Sequence, residues 1–333
     1  MLKGLALSTF AVISLGASAA FADADSNSSG VQLEIQEWDV PYDGTRSRDP
    51  WVGGDDSVWF VGQDTHYVGR LTPSTGEFHE YPLEEGAGPH TVISDERGAW
   101  YAGNRAAHIG LIDPDSGDIQ RFVPPGDGSR DVHTMAFTSE GNIWFTEQHA
   151  NRIGLFDTES ETFTMHEVAT NRARPYGIVA HDGQPWAVLF GTNRLATVES
   201  GELVEIELPR ADTRPRRLAV SSGGLVWYGD YATGYIGRYD PNTGEVEEWR
   251  APSAGDSRPY AVAMDSEDRF WIVETGVMPN RFVAFDTRRE TWTDAFEVPS
   301  GGGNVRHMVY DPDSNAIWFG TDMNTIGRAQ LRE

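Results

Sequence analysis

Seven tryptophans set the frame of this chain. Trp59, Trp100, Trp144, Trp186, Trp227, Trp271 and Trp318 recur at intervals of 41 to 47 residues, each inside a short apolar run such as VWFV, IWFT or FWIV. The same features surround each one. About ten residues downstream comes a second run, often with Ile-Gly, as in HIGLI, RIGLF and YIGRY. A turn follows, for example Asp113–Gly117 or Asp240–Gly244, whose Pro and Gly suit a tight reversal. Next is an alternating segment such as Glu77–Tyr81 or Glu245–Trp249, with the period of two expected of a half-buried strand. One more strand lies about 12 residues before each tryptophan, as in VHTMAF and PYAVAM.

Four short strands per unit of about 43 residues, repeated seven times, predict an all-β, seven-bladed β-propeller with four-stranded blades. A length of 333 residues would otherwise suggest two domains, but all-β folds of this size commonly form one. The expected domain is residues 31–333. Only six residues follow the last Ile-Gly pair (Ile326, Gly327), too few for a turn and a fourth strand. Leu33–Val40, in contrast, reads as a fourth strand without its own first three. It is expected to complete the last blade and close the ring. Seven tryptophans at equivalent positions are expected to pack blade on blade rather than touch a ligand.

Residues 1–22 read as an export signal. Lys3 precedes an apolar stretch from Leu5 to Leu15, and Ala17-Ser18-Ala19 and Ala20-Phe21-Ala22 both fit a small-residue cleavage site. That stretch is short for a membrane span, which takes about 20 residues. Residues 23–30 are polar and read as a flexible leader. The mature protein is thus expected in the periplasm or outside the cell, as a monomer with no membrane span.

The chain carries 26 Lys+Arg against 51 Asp+Glu, a net charge of −25, and no cysteine. Such a balance excludes nucleic acid as a partner, since polyanions are held through Lys and Arg, and disfavours an anionic membrane. Without cysteine there is no disulfide, thiolate nucleophile or cysteine-ligated zinc. The only lysine is Lys3, so the mature chain has no lysine for a Schiff base. Acids concentrate in turns and outer strands (Asp113, Asp115, Glu159, Glu161, Glu245, Glu247, Glu248). A solvated acidic coat of this kind suits a protein exposed to high salt, where screening removes self-repulsion.

In a propeller the first strand of each blade lines the central channel. The start of that strand reads Arg48, His90, His133, Tyr176, Arg216, Tyr260 and Arg306 through the seven repeats. A merely structural position would be small or aliphatic; this one is always large and polar. Three residues after each tryptophan the chain reads Gly62, Gly103, Glu147, Leu189, Asp230, Glu274 and Thr321. The acids there form ion pairs or hold a divalent cation through oxygen ligands. The densest cluster is His90, Asp131, His133, Glu147 and Tyr176: a histidine as general base, carboxylates that orient it or bind metal, a second imidazole and a phenol as donors. Across the ring, Arg214, Arg216, Arg217, Arg258 and Arg306 suit a carboxylate or a developing oxyanion. His108, His149 and His166 read as surface residues. Arg217 reads as a partner of surface acids. His307, one residue past the channel position, is expected to point away from the channel.

The pattern P-[HY]-x-[IV], [IV]-W-F-T-E, N-x-I-G-R, best developed in Asn142–Gly154 (NIWFTEQHANRIG), resembles the streptogramin B lyase (virginiamycin B lyase) family. The resemblance implies a seven-bladed propeller that opens a cyclic ester or depsipeptide by β-elimination, with a histidine base and Mg²⁺. The family's site draws on the last two blades and the first. Here those blades offer Tyr260 and Arg306, with Asn304 where an acid belongs and Thr321 or Asp322 for the next. The same set appears rotated by three blades. His133 then matches the base, Asp131 and Glu147 the orienting or metal-binding acids, and His90 and Tyr176 the substrate-polarising groups. Arg216, Tyr260 and Arg306 face them as substrate-binding residues. Two other readings compete: a metal-dependent lactonase of the gluconolactonase type, and an exported propeller that binds a ligand or protein without catalysis.

Overall fold

The computed structural model describes residues 30–127 and 129–332. Residues 1–22, read as an export signal, lie outside the described residues. No helix among the described residues is long and apolar enough to cross a membrane.

Seven separate sheets account for the chain, each antiparallel and built from consecutive strands. Blade 3 is representative: Val132–Phe137, Ile143–Glu147, Arg152–Asp157 and Thr162–Glu167 pair in that order from the axis outward. The exception is the last blade. Its outer strand is the N-terminal Gln32–Asp39, which runs antiparallel to Thr325–Arg332 over eight consecutive pairs. The strand Leu33–Val40 therefore closes the ring as its pattern predicts. Closure places both ends of the described chain in one sheet and so fastens the ring. The sixth blade departs from the repeat. Its outer strand is broken into Thr291–Trp292 and Phe296–Glu297, both paired with Arg281–Asp286.

The tryptophans lie in the core between blades. Trp227 is 1 % exposed and stacks near Phe270 and Phe285 of the next blade, with ring centroids 5.7 and 5.9 Å apart. Trp100 meets Phe156 of its neighbour at 6.1 Å. The Ile-Gly repeat has a packing cause. In five blades the glycine pairs across the sheet with an aromatic residue on the second strand: Gly69 with Phe60, Gly110 with Tyr101, Gly154 with Phe145, Gly237 with Tyr228, Gly327 with Phe319. A Cβ on any of these glycines would lie 2.1 to 2.3 Å from a ring atom of its partner. The aromatic ring lies flat over the bare backbone, so glycine is required there for space. Blades 4 and 6 lack the aromatic, and there the partners are Ala187 with Ala196 and Ile272 with Val283.

Candidate active site in the central channel

In six blades the innermost strand breaks register at the channel position, at Arg48/Trp51, Val132/Met135, Pro175/Ile178, Pro215/Arg217, Pro259/Val262 and Val305/Met308. A bulge suspends the strict alternation of faces and re-aims side chains. Two successive residues thus reach the channel region, not one. The second of each pair reads Asp49, Thr91, Thr134, Gly177, Arg217, Ala261 and His307. Asp49, Thr91, Thr134 and Arg217 supply polar groups of the site that single-position reasoning passes over. The signal for them was present in the sequence: no large aliphatic residue occupies this second position in any blade.

Asp49 is the hub. Its buried carboxylate accepts from Arg48 Nε at 2.9 Å, Arg217 Nη2 at 2.9 Å and Thr91 Oγ1 at 3.0 Å, and lies 3.7 Å from His90 Nδ1. Burial would raise this carboxyl, but Arg48 and Arg217 outweigh it and hold Asp49 well below the usual carboxylate range. Arg217 is therefore an interior residue, 3 % exposed, rather than a surface partner.

His90 and His133 meet as expected, ring centroids 3.5 Å apart, each 3 % exposed. Tyr176 covers His133 at 4.0 Å and donates to or accepts from Tyr260 across 2.6 Å between hydroxyls. Burial holds both imidazoles well below their ordinary pKa, and the neighbouring cations push the same way, so both are neutral near pH 7. Their tautomers follow from the threonines beside them. The Thr91 hydroxyl has one proton and two acceptors for it, Asp49 Oδ2 and the His133 carbonyl at 2.9 Å, so its oxygen accepts from His90 Nδ1 at 3.2 Å. His90 is left with a free lone pair on Nε2. Thr134 receives Arg217 Nη1 at 3.3 Å and has its own proton for His133 Nδ1 at 2.9 Å. His133 then carries its proton on Nε2.

Arg216 lies over four rings, with its guanidinium carbon 3.8 Å from the centre of Tyr260, 4.4 Å from Tyr231, 4.6 Å from Phe190 and 5.2 Å from Tyr176. Arg306 stays nearer the mouth, where Nε bonds Asp322 at 3.0 Å and Nη2 at 2.6 Å. Arg214 bonds only backbone carbonyls of Ala211 and Thr213.

Asp131 and Glu147 depart from expectation. Asp131 does not orient His133. It accepts the backbone N–H of His149 at 3.0 Å, that of Ala150 at 3.3 Å, Ser129 Oγ at 3.0 Å, and pairs with the exposed His149 ring at 2.7 Å. Glu147 is the cross-strand partner of Arg152, which reaches it through Nε at 2.7 Å. Burial pushes the Glu147 carboxyl up to about 7, against the pull of Arg152. The equivalent acids do the same work: Asp230 takes Arg210 at 2.8 Å, and Glu274 takes Arg281 at 2.9 Å and Ser253 Oγ at 2.9 Å. This position fastens strand two to strand three and to the connecting loops. The donor set does not fit Mg²⁺. Asp131 is filled by N–H and O–H donors; Glu147 is tied to a guanidinium through Oε2 and keeps only Oε1 without a partner, and among the described residues no group of three His or acidic side chains could hold an ion.

His307 does not turn away from the channel. It lines a cavity of about 330 Å³ at the other end of the channel, together with Thr91 and apolar residues such as Met135, Ile178, Leu218 and Val262. Burial and Arg217 bring its pKa down to about 3. The axis thus has a polar, arginine-rich end and an apolar end.

A propeller whose channel collects imidazole, phenol and guanidinium groups from its innermost strands has the architecture of an axial small-molecule site. The chain belongs to the virginiamycin B lyase family, whose model matches residues 28–278. Among solved structures it is similar to virginiamycin B lyase from Staphylococcus aureus, at 22 % identity and TM-score 0.81, covering 90 % of this chain and 100 % of that one. A catalytically inactive variant of that enzyme with quinupristin matches at 21 % identity and TM-score 0.80, covering 90 % and 100 %. Hydrazine synthase from Kuenenia stuttgartiensis matches at 13 % identity and TM-score 0.73, covering 87 % and 96 %, a likeness of fold alone. No curated protein matches the sequence.

Proposed function

We propose that this protein is an exported lyase that opens a cyclic ester or depsipeptide by β-elimination at the polar end of the channel. The observation that carries this reading is the close, neutral His90–His133 pair, ring centroids 3.5 Å apart, in a chain of the lyase family. In the proposed step a base takes the proton on the carbon next to a carbonyl. The C–H electron pair becomes the Cα=Cβ bond, and the Cβ–O bond breaks with its pair leaving on the ester oxygen as a carboxylate. No water is consumed.

The family resemblance assigns the base to His133. The threonine hydrogen bonds favour the exchange of roles: His90 Nε2 accepts the proton, and His133 Nε2–H donates to the substrate carbonyl. Neutral imidazoles suit both tasks. Both rings are almost fully covered, so substrate meets them only when Tyr176, which lies against both, gives way. No step is routed through a metal, because among the described residues no group of three His or acidic side chains comes together to ligate one.

The test is turnover of a cyclic depsipeptide lactone followed by mass spectrometry. Elimination leaves the product mass unchanged, whereas hydrolysis adds the mass of one water. His90→Ala and His133→Ala are each expected to abolish turnover with the far-ultraviolet circular dichroism unchanged. Full activity in either variant, or a hydrated product, would overturn the proposal.

A further inference from the structure

The polar end of the channel holds more cations than anions. Four guanidinium groups gather there (Arg48, Arg216, Arg217, Arg306), and Asp49 and Asp322 are the carboxylates paired with them. Asp49 serves Arg48 and Arg217 at once, and Asp322 is taken by Arg306. Arg216 is left over. Among the described residues no carboxylate pairs with it, and its buried Nε has no hydrogen-bond partner. Two further buried donors of the cluster are unmet, Arg48 Nη2 and Arg217 Nε, but both of those guanidiniums are paired with Asp49.

The aromatic box explains how such a charge is tolerated. Rings below and around the guanidinium stabilise it through their faces, while its edge, where the N–H donors lie, stays free. A buried donor left without a partner costs free energy, and an acceptor delivered from outside would satisfy the Nε of Arg216. The fork of an arginine matches a carboxylate bidentately and stays protonated under burial, which a lysine would not.

We infer that Arg216, backed by Arg48, is a carboxylate receptor, and that the group it receives is the carboxylate released in the elimination. This rests on the reading that substrate is held at the polar end of the channel. In the balanced step above, the negative charge ends on the former ester oxygen. A preorganised guanidinium facing that oxygen stabilises the developing charge. It occupies the role that a divalent cation would have, in a site whose acidic side chains are committed elsewhere. Arg216 would contact the leaving group directly, so it is catalytic in this scheme, whereas Arg48, held by Asp49 and Gln63, adds a second positive charge to the same end of the channel.

The experiment uses two probes of the same shape, N-acetylphenylalanine and its primary amide, with binding to the full protein followed by ligand-observed NMR at fixed ionic strength. The acid is expected to bind at least about tenfold more tightly than the amide, as charge-assisted pairing requires. Arg216→Gln is expected to erase that preference, and Arg306→Gln, at a cation already paired by Asp322, to retain most of it. Equal binding of acid and amide to the unaltered protein, no binding of the acid, or a preference that persists in Arg216→Gln each overturns the inference. The unaltered-protein comparison stands even if a variant fails to fold. A retained acid preference without turnover of any cyclic ester would sink the lyase reading and leave the receptor in place; turnover without acid preference would do the reverse.

Discussion

Replacing Asp49 by Asn removes one charge from the centre of the ring with almost no change of shape. In the native protein this carboxylate is fully buried and takes hydrogen bonds from Arg48, Arg217 and Thr91 at 2.9 to 3.0 Å. The amide keeps an oxygen for Thr91 but no longer neutralises the guanidiniums, whose side chains are 5 % and 3 % exposed. Breaking one side of a buried ion pair costs about 3–5 kcal/mol, because the partner is stranded in low dielectric. A loss of that size changes the ratio of folded to unfolded protein by more than about a hundredfold. It is read as a drop in the urea midpoint at unchanged slope. The exposed pair Arg332–Glu34 provides the control, since Glu34→Gln should leave the midpoint where it is. Adding Arg217→Met to Asp49→Asn removes one stranded cation, so the double variant should be more stable than the sum of the single losses by at least about 1 kcal/mol. A single-variant loss below about 1 kcal/mol, or single effects that add within roughly 0.5 kcal/mol, would refute the view of Asp49 as the electrostatic hub.

Acid should unfold the protein through the channel histidines. His90, His133 and His307 have folded pKa values below the ordinary 6.5, so below that pH the unfolded chain binds protons that the folded chain refuses. Their contribution is complete above about pH 6.5 and falls as pH drops, with a limiting slope of about 1.4 kcal/mol per pH unit for each ring; urea midpoints equal at pH 7.5 and 5.5 would contradict this. Salt should act in the opposite sense to its usual effect on surface ion pairs. With a net charge of −25, screening relieves self-repulsion, so the melting temperature is expected to rise with NaCl, and a fall would count against an acidic coat adapted to salt.

The fold was legible because each of its devices leaves a periodic trace. Tryptophans between all seven blades, Ile-Gly pairs in most of them, and the lone strand Leu33–Val40 that closes the ring each follow from a packing requirement that the repeat imposes. His90, His133, Tyr176, Arg216 and Tyr260 were legible because they recur at a position that is large and polar in every repeat, where a merely structural one would be small or aliphatic. Asp49, Thr91 and Thr134 were passed over, and His307 was turned the wrong way, because a bulge overrides the two-residue alternation on which the reading of faces relies. Asp131 and Glu147 misled for a different reason. Acids at equivalent blade positions look like ligands converging on an axis. The second strand, however, is one layer out from the channel, and its cross-strand neighbours include arginines such as Arg152 and Arg281 that satisfy the acids in place.

The distribution of charge sets the acidic coat apart from the channel. The exposed acids of the turns, among them Asp113, Asp115, Glu159, Glu161, Glu245 and Glu247, set a negative potential that opposes the approach or retention of any anion at low ionic strength. The channel end carries the opposite sign, with Arg216 unmatched. At about 1 M salt the Debye length shrinks to about 3 Å, so the coat's repulsion ends close to the surface, while the desolvated pairs at the axis are screened far less. A carboxylate released at Arg216 then meets an attractive site and no long-range barrier. Arginine is the side chain that makes this segregation durable, since a buried lysine in the same box would lose its proton and with it the charge. The lack of any lysine after Lys3 is therefore consistent with the demands of the channel as well as with those of the solvent.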